Sequence, residues 1–141
     1  LVVDDDTRLR ELLRRYLVGE GFRVTTAADA AEARQRLAGI AFDLIVLDVM
    51  MPTLDGFAVC ERLRASVRTA FIPILMLTAL DDSDSRARGF GVGTDDFVSK
   101  PVNKFELLTR VRSLLRVRHL KSELERALTY LNEIEHEENE E

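Results

Sequence analysis

The chain has 141 residues, 46% of them hydrophobic, a size that suits one compact domain with some material to spare. Its net charge of −5 is unevenly spread: residues 119–141 hold eight Glu against Lys121 and Arg126, whereas residues 1–118 hold 18 basic and 17 acidic groups. No basic stripe argues for nucleic-acid contact, no apolar run approaches the ~20 residues that span a bilayer, no signal peptide is visible, and one cysteine, Cys60, leaves no internal disulfide.

These exclusions fit a cytoplasmic setting, with Cys60 as a small buried side chain on a helix. Leu1-Val2-Val3 is the tail of an apolar strand whose start is expected to precede Leu1, and it runs straight into Asp4-Asp5-Asp6. Leu9, Leu12, Leu13, Tyr16 and Leu17 recur at helical spacing. Asp6 or Thr7 would cap that helix and Gly19 or Gly21 would end it. Phe22 to Thr26 alternates and is β-rich, which predicts a second strand. Asp29-Ala30-Ala31-Glu32 reads as a capping box, so the next helix should run from Ala30 to about Leu37, before Gly39.

Leu44-Ile45-Val46-Leu47 is wholly apolar, as expected of a strand covered on both faces, and it ends at Asp48. Pro52, Asp55 and Gly56 then open a loop, and helical spacing resumes from about Gly56 to Ser66. Pro73 to Thr78 is another apolar run, with Pro in a strand's first position. After Asp84 a short helix to about Arg88 is expected. Gly89-Phe90-Gly91-Val92-Gly93 lacks the G-x-G-x-x-G spacing of a nucleotide loop and reads as a turn. Asp96 to Ser99 is a fifth strand, closed by Lys100-Pro101, and Phe105 onward is helical. Strand and helix alternate five times, which predicts an α/β fold: a doubly wound, five-stranded parallel sheet with helices on both faces.

Ligands of open α/β sheets bind outside the carboxyl ends of the strands. At those ends stand Asp4 and Asp5, Asp48, Thr78 and Lys100. Three converging carboxylates are costly without a cation, and an all-oxygen donor set suits Mg2+. Lys100 adds a point charge and Thr78 a hydroxyl, a combination that serves a phosphoryl group. Asp4 and Asp5 form a pair suited to holding metal, while Asp48 stands alone in mid-sheet, which favours it as the nucleophile of an aspartyl phosphate.

Four motifs make the pattern specific: V-V-D-D-D at Val2 to Asp6, L-D-V-M-M-P-T-L-D-G at Leu47 to Gly56, L-T-A at Leu77 to Ala79, and F-V-S-K-P at Phe97 to Pro101. Across about residues 1–118 the chain resembles the receiver domain of two-component response regulators. The resemblance implies a flavodoxin-like strand order 2-1-3-4-5 and makes Asp48 the phosphoacceptor. It implies Mg2+ held directly by Asp5 and Asp48, with Asp4 helping through water and the Met50 backbone carbonyl as a further ligand. Thr78 and the Ala79 N–H would hold the phosphate, Lys100 would pair with it, and Thr78 would couple to Phe97 as a switch. The phosphoryl donor would be a sensor histidine kinase or phosphotransfer protein. Two departures stand out: Phe97 lacks the hydroxyl of the Tyr that many relatives carry, and Asp6 stands where Glu is frequent. The Lys100-Pro101 bond is often cis in such domains.

The last helix does not stop where a receiver would, near Val117. Val117, Leu120, Leu124, Ala127, Leu131 and Ile134 follow spacings of three and four, the seam of a coiled coil. From Lys104 to Ile134 such a helix spans roughly 46 Å. Residues 1–118 are therefore read as a receiver and residues 119–141 as a helical extension, either a dimerisation helix or a linker to an output domain; Glu135 to Glu141 is expected to fray. The function expected is a phosphorylation-controlled switch whose only catalysis is its own phosphotransfer and dephosphorylation. One alternative is a metal-dependent phosphatase of the haloacid dehalogenase kind, which usually carries a second acid where this chain has Met50. Another is a dimerisation module that no longer reacts.

Overall fold

The computed structural model describes residues 1–50, 55–79 and 83–140. The elements follow in the order β1 (Val2–Val3), α1 (Thr7–Gly19), β2 (Thr26–Ala27), α2 (Ala30–Gly39), β3 (Ile45–Asp48), α3 (Gly56–Ala65), β4 (Ile74–Ala79), α4 (Ser83–Val92), β5 (Asp96–Lys100) and α5 (Lys104–Glu140). All strand pairs are parallel, in the order β2-β1-β3-β4-β5, the doubly wound arrangement that the alternation predicts.

Successive strand residues point to opposite faces, and here both phases are apolar. Val3, Ile45, Leu47, Ile74, Met76 and Phe97 face the layer of α2 and α3, with Val92 of α4 packed against it. Val2, Val46, Leu75, Leu77 and Val98 face α1 and α5 through Leu13, Leu17, Leu107, Leu108 and Val111. A sheet covered twice needs continuous apolar runs, and that is why its strands read as unbroken aliphatic segments. Caps set the helix entries: the Asp6 carboxylate accepts from the Arg8 and Leu9 N–H groups at 2.9 and 3.2 Å. At α2 the Asp29 side chain accepts from Glu32 N, and Glu32 accepts in turn from Ala28 N, one residue before the cap, both at 2.8 Å, so half of the expected box forms and its return bond is shifted by one residue.

Three boundaries differ from the sequence reading. Only Thr26 and Ala27 form β2, paired with Val2 and Val3 of β1; Phe22 and Val24 pack against the α1/α5 layer. Helix α4 does not end at Arg88 but continues through Gly89 and Gly91 to Val92. A Cβ at Gly89 would collide with the Phe97 ring, 2.8 Å from its Cε1, so this glycine makes room inside a helix, and the chain leaves the helix only at Gly93, with φ 101°. Finally, α5 stays helical to Glu140, across the end expected to fray, giving 37 residues and a length of about 55 Å. The Lys100-Pro101 bond is cis.

Candidate functional site

Strand phase assembles the acidic cluster. In the parallel register Val2 lies beside Val46 and Val3 beside Leu47, so the next residues, Asp4 and Asp48, leave the sheet side by side. Asp48 in turn aligns with Leu77, and Ala79 with Lys100. Carboxylate oxygens of Asp4, Asp5 and Asp48 lie within 4.8 Å of one another, and the Lys100 Nζ donates to Asp48 Oδ1 at 2.7 Å. Asp4 is 0% and Asp48 2% exposed, whereas Asp5 faces solvent. The cluster thus has a buried floor and an open rim.

Backbone groups hold the acids in place. The Asp6 N–H donates to Asp4 Oδ1 at 2.9 Å and the Met50 N–H to Asp48 Oδ1 at 3.3 Å. The Arg10 guanidinium donates to the Asp4 carbonyl at 2.8 Å. Behind Asp48, the Gly56 N–H donates to the Val49 carbonyl at 2.8 Å, and a Cβ at Gly56 would strike the Asp48 carbonyl and come within 2.8 Å of Val49 Cα. Gly56 and Arg10 escaped the sequence reading. Gly56 closes the Leu47 to Gly56 motif, but the Asp-Gly pair that opens α3 reads equally well as an ordinary cap, so its role behind Asp48 was not assigned.

Two polar atoms in this region are buried with no hydrogen-bond partner among the described residues: Asp4 Oδ2 and Thr78 Oγ1. Such groups are rare because each forfeits the full worth of its hydration. Burial, together with the neighbouring Asp48 charge and against the Asp6 N–H and Lys100, pushes the Asp4 carboxyl up from 3.8 to about 7. Against three carboxylates the cluster holds one cation, Lys100. An oxygen-rich donor set with an unpartnered carboxylate oxygen on its floor fits a hard divalent cation such as Mg2+.

The remaining predicted residues sit around this centre. Thr78, 1% exposed, is the last buried residue of β4, beside Ser99 of β5, and the exposed Ala79 ends the strand. The Met50 side chain is exposed. Phe97 is not at the acids: it is buried beneath α4, with its ring edge-on to Phe90 at 4.9 Å. Ser99 accepts from Arg86 of α4 at 2.7 Å, a tie between α4 and β5 that no local pattern announced. The part of the loop motif at residues 51–54, and Asp81 and Asp82, lie outside the described residues.

Comparison with known proteins agrees with the geometry. The profile of the response regulator receiver domain matches residues 1–112. Protein PetR of Rhodobacter capsulatus is 47% identical over 116 residues, 82% of this chain and 48% of PetR. Response regulator MprA of Mycobacterium ulcerans is 48% identical over 116 residues, 82% of this chain and 49% of MprA. The chain therefore spans about half the length of these curated relatives. Among solved structures, chemotaxis protein CheY4 of Vibrio cholerae superposes with a TM-score of 0.76 at 34% identity, covering 80% of this chain and 94% of CheY4. Fold, strand-end acids and relatives coincide on residues 1–112, and the chain belongs to the response regulator receiver domain family of two-component systems.

Proposed function

We propose that Asp48 is the phosphoacceptor of a phosphorylation-activated switch, fed by a sensor histidine kinase or phosphotransfer protein. The observation that carries this reading is the meeting of Asp4, Asp5, Asp48 and Lys100 at one sheet edge, beside Thr78 with its unpartnered hydroxyl. An Asp48 oxygen attacks phosphorus, the bond from phosphorus to the donor nitrogen breaks, and the donor imidazole leaves with the electron pair. Asp5, Asp48 and the Met50 carbonyl would hold Mg2+ directly and Asp4 through water, and the ion would neutralise charge on the transferring group. Lys100 holds Asp48 at 2.7 Å before transfer and afterwards pairs with the phosphate. The Thr78 hydroxyl and Ala79 N–H supply hydrogen bonds to its oxygens.

The phosphate adds about −1.5 to −2 charges next to Lys100 and Thr78. Turning the Thr78 hydroxyl toward it gives that buried group its missing partner. Thr78 continues the strand phase of Met76, shared by Phe97 and Ser99 across the register, so its movement is felt by Phe97 and by the α4 helix lying over it. With no hydroxyl on Phe97 the coupling runs through packing against Gly89 and Phe90. Residues 1–118 form the receiver in this reading. Residues 119–141 carry a homodimer helix that transmits the state to whatever the chain joins, and the protein works in the cytoplasm without contacting nucleic acid through this segment. Among the described residues no helix is long and apolar enough to cross a membrane.

Incubation with acetyl phosphate and Mg2+ is expected to add the mass of one phosphoryl group, lost on chelation and in Asp48→Asn. Sustained turnover of phosphate esters would replace this reading with the phosphatase, and an unmodified chain under every donor would replace it with the unreactive module.

A further inference from the structure

Beyond the receiver body, α5 presents an apolar stripe with no partner among the described residues. Val117, Leu120, Leu124 and Leu131 are each between 48% and 60% exposed, and no buried residue of the helix lies past Val111. On this stripe Val117, Leu124 and Leu131 occupy a positions and Leu120, Ala127 and Ile134 d positions of a heptad. The g flank then carries Arg116, Glu123, Tyr130 and Glu137, and the e flank Lys121, Leu128 and Glu135.

Charge along this helix is polar. Arg110, Arg112, Arg116, Arg118 and Lys121 crowd its first half, while Glu133, Glu135, Glu137, Glu138 and Glu140 crowd its end. Acid at a helix C-terminus opposes the macrodipole, so the acidic end is stabilised by a neighbouring cation rather than by its own helix. The acidic end also has a place to go. Where α5 leaves the body, a cleft of about 330 Å³ is lined by Phe71 and by three cations, Arg64, Arg118 and Lys121, against Asp95 and Glu125, with Arg64 paired to Asp95, and Phe71 is 89% exposed. Arg118 is partly engaged there, reaching the Phe71 carbonyl at 3.4 Å and Asp43 at 3.6 Å.

We infer that α5 pairs antiparallel with α5 of a second copy, the acidic end of each helix lying against the basic root and bordering cleft of the other. This rests on the homodimer reading above and adds its direction. Full overlap of the six seam residues sets Val117 opposite Ile134, Leu120 opposite Leu131 and Leu124 opposite Ala127. In that stagger the g positions meet across the seam, Arg116 with Glu137 of the second copy, twice by symmetry. Parallel pairing instead joins each g residue to the e residue five positions on, which sets Arg116 against Lys121, also twice, and brings the two glutamate-rich ends together. One direction satisfies the charges and the other repels them.

Sedimentation of the whole chain first reads the dimer itself: a concentration-dependent dimer is expected, and a monomer at every concentration would remove the homodimer reading and this inference with it. Direction is then read in a Cys60→Ala background under mild oxidation. Ile134→Cys should not link to itself, because in the antiparallel stagger its two copies stand about 26 Å apart along the axis, whereas a mixture of Val117→Cys with Ile134→Cys should link. Self-linking of Ile134→Cys would leave the dimer standing and overturn its antiparallel direction. Arg116→Glu, made without any cysteine, gives the same answer by sign. It should weaken dimerisation about threefold or more, in the range of two exposed ion pairs, with recovery on adding Glu137→Lys. Tighter dimerisation in Arg116→Glu would show that Arg116 faces Lys121 and would also overturn the antiparallel direction.

Discussion

Asp4 carries a carboxyl whose folded-state affinity for a proton is raised to about 7 by burial first and by Asp48 second. Its unfolded value is 3.8. Between those values the folded chain binds the proton more tightly than the unfolded chain does, so stability falls as pH rises across that window. Without divalent metal, the melting temperature measured with EDTA should therefore contain a term that declines from about pH 4 to about pH 7. Saturating Mg2+ should flatten that decline and raise the melting temperature at pH 7, since binding to the folded state stabilises it by mass action. Asp4→Asn should remove the pH-dependent decline and weaken, without abolishing, the Mg2+ effect, since Asp5 and Asp48 remain. Thr78 makes an opposite case, a buried hydroxyl without a partner among the described residues. Thr78→Val keeps the shape and deletes the unsatisfied group, so urea unfolding should show an unchanged or higher stability, by up to about 1 kcal/mol. The same variant should take up phosphate from acetyl phosphate at least ~10-fold more slowly, since it lacks a donor to the transferring group. A residue that improves the resting fold when lost yet slows the chemistry is one whose hydrogen bond is made only in the phosphorylated state.

At the scale of elements, α4 depends on a glycine that sequence rules treat as a breaker. Gly89 lies over Phe97 so closely that an added Cβ would meet the ring. Phe97 is itself clamped by Phe90, so the ring has little room to give. Gly89→Ala gains helix propensity but overpacks the α4–β5 interface, a penalty typically of about 1–3 kcal/mol. The net expectation is destabilisation in urea, recovered when Gly89→Ala is combined with Phe97→Leu, a positive coupling in a double-mutant cycle. Additive losses would show that the ring and the helix do not meet. Other elements were legible because their signals are local. Asp6 and Asp29 cap through hydrogen bonds to residues two and three positions on, and the aliphatic runs of β3 and β4 are covered on both faces. By contrast the β-rich composition of residues 22–26 overstates β2, because Phe22 and Val24 meet the α1/α5 layer, a contact between distant segments that no short window shows.

For the whole molecule, the long helix separates two tasks. Only Leu107, Leu108 and Val111 of α5 are fully buried against the body, and Leu114 and Leu115 pack partly, so residues after Arg118 contribute little to the receiver core. A chain shortened to residues 1–118 should keep its unfolding free energy in urea to within about 0.5 kcal/mol and accept phosphate normally, while losing the dimer in sedimentation. Loss of phosphorylation in the shortened chain would tie the extension to the site itself.

The amino-acid order by itself determined the alternation of strand and helix, the acids and lysine at the strand ends, and the apolar seam of α5, because each depends on spacing within a few residues. Only the tertiary structure decided that Asp4 and Asp48 leave adjacent strands in matched register, that one Asp4 oxygen and the Thr78 hydroxyl are buried without partners among the described residues, and that Gly89 belongs inside a helix. Those outcomes depend on residues distant in the chain meeting across a sheet, where burial and the room beside a ring override what any short window prefers.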